Sequence, residues 1–111
     1  MTPNVDTTLA ALADPVRRAI IDRLRQRPHR SSELAELLAL PRPVVSKHLA
    51  VLRKAGVVDD HVLAEDARGR RIELRAQPFT ALRAWLTEVE TFWTDELAAF
   101  KRHAERPRTK R

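Results

Sequence analysis

Residues 41–56, PRPVVSKHLAVLRKAG, constrain the fold more than any other stretch of the chain. Two prolines open the segment and a glycine closes it. Between them Val45, Leu49 and Leu52 recur at i, i+4 and i+7, the period of a helix with one buried face. Arg42, Ser46, Lys47, Arg53 and Lys54 lie around the other faces, and the segment contains no acidic residue. Pro43 fits the first helical turn, where its missing N–H costs nothing, and Gly56 fits the left-handed residue just past the end. A helix that is apolar on one stripe and cationic or hydroxylated elsewhere packs into a core and still offers a face to DNA. A solvated helix whose charges only keep it soluble is the alternative reading of the same pattern.

The segments before it supply a scaffold. Residues 1–7 are polar and are expected to form a flexible N-terminus. Residues 8–13 make a short helix showing Leu9 and Leu12. Asp14-Pro15 then signals a helix start, with Asp as the cap and Pro in the first position. That helix, from Pro15 to about Gln26, is expected to bury Val16, Ile20 and Leu24 and to end before Pro28. Arg17, Arg18, Arg23 and Arg25 fall on its solvated face, where one or two can reach a phosphate. Ser31-Ser32-Glu33 marks the next start, a hydroxyl cap followed by an acid that favours the helix dipole. Leu34, Leu37 and Leu38 follow at helical spacing. Two short helices joined by a tight turn, the second of them basic, form a helix-turn-helix layout. Pro41 stands where a Ser or Thr cap is usual, so the second helix lacks a side-chain acceptor at its start.

After Gly56 the period changes. Val57-Val58 and Val62-Leu63 have strand composition, and Arg71-Ile72-Glu73-Leu74-Arg75 alternates strictly. Residues 65–69 have turn chemistry, so a β-hairpin carries Arg68, Arg70 and Arg71 at or near its tip. A basic hairpin directly after a basic helix is the layout of a winged helix. A plain surface hairpin is the alternative, and Asp59, Asp60, Glu65 and Asp66 support it unless they face away from the basic surface. The last helix runs from about Phe79 to Ala104. Its apolar residues Phe79, Leu82, Leu86, Val89, Trp93, Leu97 and Phe100 step by three or four, with Trp85 and Phe92 flanking. A small helix-turn-helix core does not cover so long a stripe from one side, which favours symmetric self-association. Folding back of this helix on the first one is the intramolecular alternative.

Composition removes several classes of function. The 111-residue chain is one domain, with no cysteine for disulfides, thiolate metal sites or thiol nucleophiles, and only two glycines. With neither a Gly-rich phosphate loop nor a convincing histidine–acid constellation, an enzyme is the weakest class. There is no signal-like N-terminus and no apolar run long enough to span a bilayer, so a cytoplasmic protein is expected. The net charge is +6, yet six of the 21 Lys/Arg fall in residues 101–111 and leave the body near neutral. Residues 105–111 read as a basic flexible tail and 8–104 as the folded domain. A basic helix and a basic turn on a near-neutral body point to a localised nucleic-acid footprint. The rival is a winged-helix protein–protein interaction module with only non-specific DNA affinity.

The motifs ALADPVRRAIIDRL, SSELAELLAL, RPVVSKHLAVLRKAGVV and RGRRIELR, with FWTDELAAFKRHAE near the end, resemble the ArsR/SmtB family of winged-helix bacterial repressors. The resemblance covers nearly everything from Leu9 to Glu105. It implies a mostly α fold with a β-hairpin, ordered α-α-α-α-β-β-α, that forms a homodimer through its first and last helices. It further implies a repressor that binds a palindromic operator through residues 42–55 and a wing at 65–71. Carried over by position, Arg42, Ser46, Lys47 and His48 meet double-stranded DNA, with Arg53 on the same helix and Arg68, Arg70 and Arg71 in the wing. His48 precedes the buried Leu49 and reads equally as a structural hydrogen-bonder. Leu9, Leu12, Leu82, Leu86, Val89, Trp93 and Leu97 fall at the implied dimer interface. The family's metal sites use paired cysteines in the helix matched by SSELAEL, or Asp and His on the last helix with His and Glu of its mate. Neither set is present, so no metal and no cofactor are expected, and an effector, if any, is organic or a protein.

Overall fold

The structure, a computed structural model, describes residues 4–62 and 69–106. Its elements follow in the expected order: α1 (Val5–Leu12), α2 (Pro15–Leu24), α3 (Ser31–Leu38), α4 (Arg42–Lys54), β1 (Val58–Val62), β2 (Arg70–Leu74) and α5 (Ala76–Glu105). α1 begins ahead of residue 8 because Asn4 caps it, its Oδ1 accepting from the Thr7 N–H at 2.7 Å. Residues 1–3 lie outside the described residues. Thr8 and Ala11 are the buried residues of α1. The Thr8 hydroxyl donates to the Asn4 carbonyl at 3.0 Å, which removes the penalty of burying it. Leu9 is left 40% exposed.

α2 starts as its Asp-Pro signal indicates. Asp14 Oδ1 accepts from the N–H groups of Val16 at 2.7 Å and Arg17 at 3.2 Å. Ile20 and Leu24 are buried, and Val16 and Ile21 pack on the core from its margin. Arg17, half-buried, departs from the expected solvated face, whereas Arg18 stays exposed. Arg18 Nη1 donates to the Leu12 carbonyl at 2.8 Å, and Arg17 Nε donates to the Ala11 carbonyl at 2.6 Å. These carbonyls end α1 without intrahelical partners, so α2 caps the helix before it.

α3 is capped by its acid and not by a hydroxyl. Ser31 is already the first helical residue, and Glu33 Oε1 accepts from the Arg30 N–H at 3.1 Å. That N–H holds the Glu33 carboxyl below its ordinary 4.5; burial opposes it, and Arg27, 3.3 Å away, adds to the lowering. Burial raises the Asp14 carboxyl, but the Arg17 and Val16 N–H groups, with the charges of His48 and Arg17, outweigh it and hold Asp14 below its ordinary 3.8. Both caps therefore stabilise the fold fully above those ordinary values and are lost as pH falls through the lower folded-state values. Thermal midpoints measured between about pH 6 and 2 are expected to fall only in that acid window, and Glu33→Gln to flatten the decline.

The turn between α3 and α4 holds an unusual residue. Ala39 adopts φ 53°, ψ 45°, the left-handed region that penalises a Cβ. Its N–H and that of Leu40 donate back to the carbonyls of Glu36 and Ala35 at 3.1 and 3.0 Å, closing the end of α3. Ala39→Gly is expected to raise stability by about 0.5–1 kcal/mol, read as a higher urea midpoint at unchanged slope.

α4 starts at Pro41 with no side-chain cap, as the sequence indicates, and the Pro41 carbonyl accepts from Val44 and Val45. It ends on Gly56 at φ 75°, with Gly56 N–H on the Arg53 carbonyl and Val57 N–H on the Leu52 carbonyl, both 3.0 Å. Val45, Leu49 and Leu52 are fully buried beside Ile20, Leu34, Val57 and Ile72. The hairpin pairs antiparallel from Val58 with Leu74 to Val62 with Arg70. His29, just after Pro28, is only 3% exposed and exchanges both backbone hydrogen bonds with Ile72, at 3.1 and 2.8 Å. The α2–α3 connection thereby forms a third strand position and fixes the hairpin against the helices.

α5 begins two residues before Pro78, which sits in the first turn without costing a hydrogen bond. α1 packs against α5, and near the start of α5 Phe79 and Leu82 are half-buried, Phe79 against the core. Beyond them the apolar stripe is exposed, reaching 60% at Trp93 and 71% at Phe100. No helix among the described residues is long and apolar enough to cross a membrane.

Candidate nucleic-acid interface

α4 meets solvent on a face carrying Arg42, Lys47, Arg53 and Lys54 and no acid. Helical geometry sets Pro43, Lys47, Ala50 and Lys54 opposite the buried stripe, with Arg42, Ser46 and Arg53 along one flank. Arg42, Ser46 and Lys47 are all exposed, in the turn and a half that follows the helix-turn-helix connection. The buried stripe anchors the helix rigidly, so these side chains project from a fixed frame.

Two candidates on the same helix are engaged within the protein. Arg53 Nε pairs with Asp60 Oδ1 of β1 at 3.2 Å. Asp60 therefore does not face away from the basic helix, as the sequence suggested; it is neutralised there. His48 is half-buried on the other flank, its Nδ1 3.4 Å from Arg17 Nη1 and 3.9 Å from Asp14 Oδ1. These contacts seat the ring between α2 and α4.

In the hairpin, Arg70 is exposed at the start of β2, and Arg71 is half-buried opposite His61. The Arg71 Nε is buried with no hydrogen-bond partner among the described residues. Arg68, Glu65 and Asp66, with the rest of the expected tip, lie outside the described residues. His61 Nδ1 stands 3.9 Å from Glu73 Oε1, so the middle of the hairpin carries mixed charge.

Of the expected interface residues, Leu86, Val89, Trp93 and Leu97 are exposed along α5, and Leu9 is exposed on α1. Leu12 and Leu82 are half-buried. Trp85, Phe92 and Phe100 belong to the same exposed surface. Among the described residues no three His, Cys, Asp or Glu side chains converge as a metal ion requires.

Residues 12–61, from the end of α1 into β1, match a family described as a helix-turn-helix domain. The HTH-type transcriptional regulator Rv2034 of Mycobacterium tuberculosis is 40% identical over 95 residues, 86% of this chain and 83% of that protein. A crystal structure of an ArsR family transcriptional regulator superposes with a TM-score of 0.69 at 36% identity, over 80% of this chain and 89% of that one. The chain belongs to the ArsR/SmtB family of winged-helix transcriptional regulators. Within the family, the HTH-type transcriptional repressor SmtB of Mycobacterium tuberculosis is 50% identical over 50 residues, 45% of this chain and 37% of that protein.

Proposed function

We propose that this ArsR/SmtB-family chain is a homodimeric repressor that acts in the cytoplasm on a palindromic operator. The observation that carries this reading is the acid-free, cationic face of α4, held by three fully buried residues. Arg42 suits bidentate reading of guanine, and Ser46 and Lys47 suit phosphates or base edges. Arg70 and Arg71, with Arg68, suit backbone or narrow-groove contacts by the wing. Arg53 contributes chiefly by holding α4 against β1 through Asp60. The basic residues of 105–111 add non-specific phosphate attraction.

The homodimer is supported by α5. α1 has 8 residues and α5 has 30, about 12 Å against 45 Å of helix, so one α1 leaves most of the stripe bare. A second copy covers it with the same surface, the self-complementary solution. Repression is supported by the likeness, over 50 residues, to the transcriptional repressor SmtB. Hydroxyl-radical footprinting on upstream DNA is the test. Two protected patches about 10–10.5 base pairs apart, on one face of the duplex, are expected. A single patch or uniform protection contradicts the dimeric reader.

A further inference from the structure

The Arg17 guanidinium touches two helices at once. Nε and Nη2 donate to the Ala11 and Ala10 carbonyls of α1 at 2.6 and 3.2 Å, and Nη1 lies 3.4 Å from Nδ1 of His48 on α4. A guanidinium has N–H donors and no acceptor, so Nδ1 takes the accepting role and the neutral ring carries its proton on Nε2. No carboxylate competes at hydrogen-bond distance. Asp14 Oδ1 is 3.9 Å from Nδ1 and already accepts from two backbone N–H groups. The His48 side chain is only 20% exposed, so this contact governs which ring nitrogen is left to donate.

We propose that Arg17 is a positioning residue for DNA binding: it ties α4 to the end of α1 and holds His48 as the Nε2–H tautomer. The ring then has one defined donor for a phosphate oxygen or a base acceptor. This rests on the reading of α4 as the DNA-contacting helix. It also joins the helix proposed for dimer contact to the helix proposed for operator contact through one planar group. A lysine does not replace it, since an ammonium on a flexible stem cannot hold three acceptors in one fork.

Long-range proton–nitrogen correlation spectra of the dimer at about pH 8.5, where an ordinary imidazole is neutral, test the tautomer without DNA. His48 in the unaltered protein is expected to show an unprotonated Nδ1 and a protonated Nε2, and Arg17→Met to show mixed tautomers. In anisotropy titrations Arg17→Met is expected to weaken operator binding on the order of tenfold with an unchanged salt slope. The variant combining it with His48→Ala is expected to bind no worse than His48→Ala alone. An Nδ1–H tautomer in the unaltered protein overturns the proposal, as does an Arg17→Met spectrum identical to it. Additive losses, or a salt slope lower by about one, make Arg17 an independent or phosphate contact and overturn it as well. An unaltered protein that prefers no duplex overturns the DNA reading together with the positioning role. A wrong tautomer in a protein that does bind its operator overturns the proposal alone.

Discussion

The double variant Lys47→Glu, Arg70→Glu is expected to lose operator affinity by on the order of a hundredfold or more at low salt. Each substitution removes a cation from an exposed position and sets an anion against the phosphates in its place. Both side chains are exposed, and among the described residues neither makes a hydrogen bond or ion pair, so the thermal midpoint and the mass in solution are expected to stay put. Arg70 is the better wing position for this test because the Arg71 Nε is buried, and reversal there perturbs the strand itself. If the double variant keeps its affinity in an anisotropy titration, α4 and the wing are not the DNA surface. A partner protein that still binds it then points to an interaction module.

Trp93→Asp is expected to dissociate the dimer. Trp93 is 60% exposed in the single chain, so the fold loses little when it is replaced. Two-fold symmetry makes every substitution act twice across the interface. A Trp anchor costs at least about 2 kcal/mol when truncated, so the two together weaken association by on the order of a thousandfold. Light scattering is expected to give the 12.7 kDa monomer, and operator affinity to fall because each half-site must then be bound alone. A dimer that persists in the variant places the interface elsewhere.

Local signals carried most of the fold. The Asp14-Pro15 start, the buried period of α4 and the Gly56 stop are written in neighbouring residues, and each appears in the structure as read. The strand pairing was also legible, because strict alternation in residues 71–75 specifies which face is buried. Features that depend on distant partners were not. His29 pairs with Ile72 across 43 positions, and nothing in the loop composition announces it. Arg17 looks like any solvated cation until the α1–α2 turn brings the Ala11 carbonyl to it. Ala39 carries no turn signature, since alanine occupies a left-handed position only when the surrounding turn imposes it. In α1, spacing did not single out Thr8 and Ala11 as the buried pair; the Thr8 hydroxyl is satisfied by the Asn4 carbonyl, a local bond that spacing does not announce.

The candidate site was legible in the same proportion. Exposed cations such as Arg42 and Lys47 follow directly from the helical period, because their positions need only the buried stripe as reference. The commitments of Arg53 to Asp60 and of His48 to Arg17 depend on how α4 meets β1 and α2, and only the packed structure contains them.

The central claim is that this chain reads a specific DNA sequence. Fluorescence anisotropy of the purified full chain on its own upstream DNA and on a scrambled duplex, titrated with salt, tests it most directly. The account predicts tight preferential binding to the upstream duplex, in the range of about 10⁻⁸ to 10⁻¹¹ M, with steep salt slopes on both. Equal and weak binding to the two duplexes, vanishing by physiological salt, contradicts it.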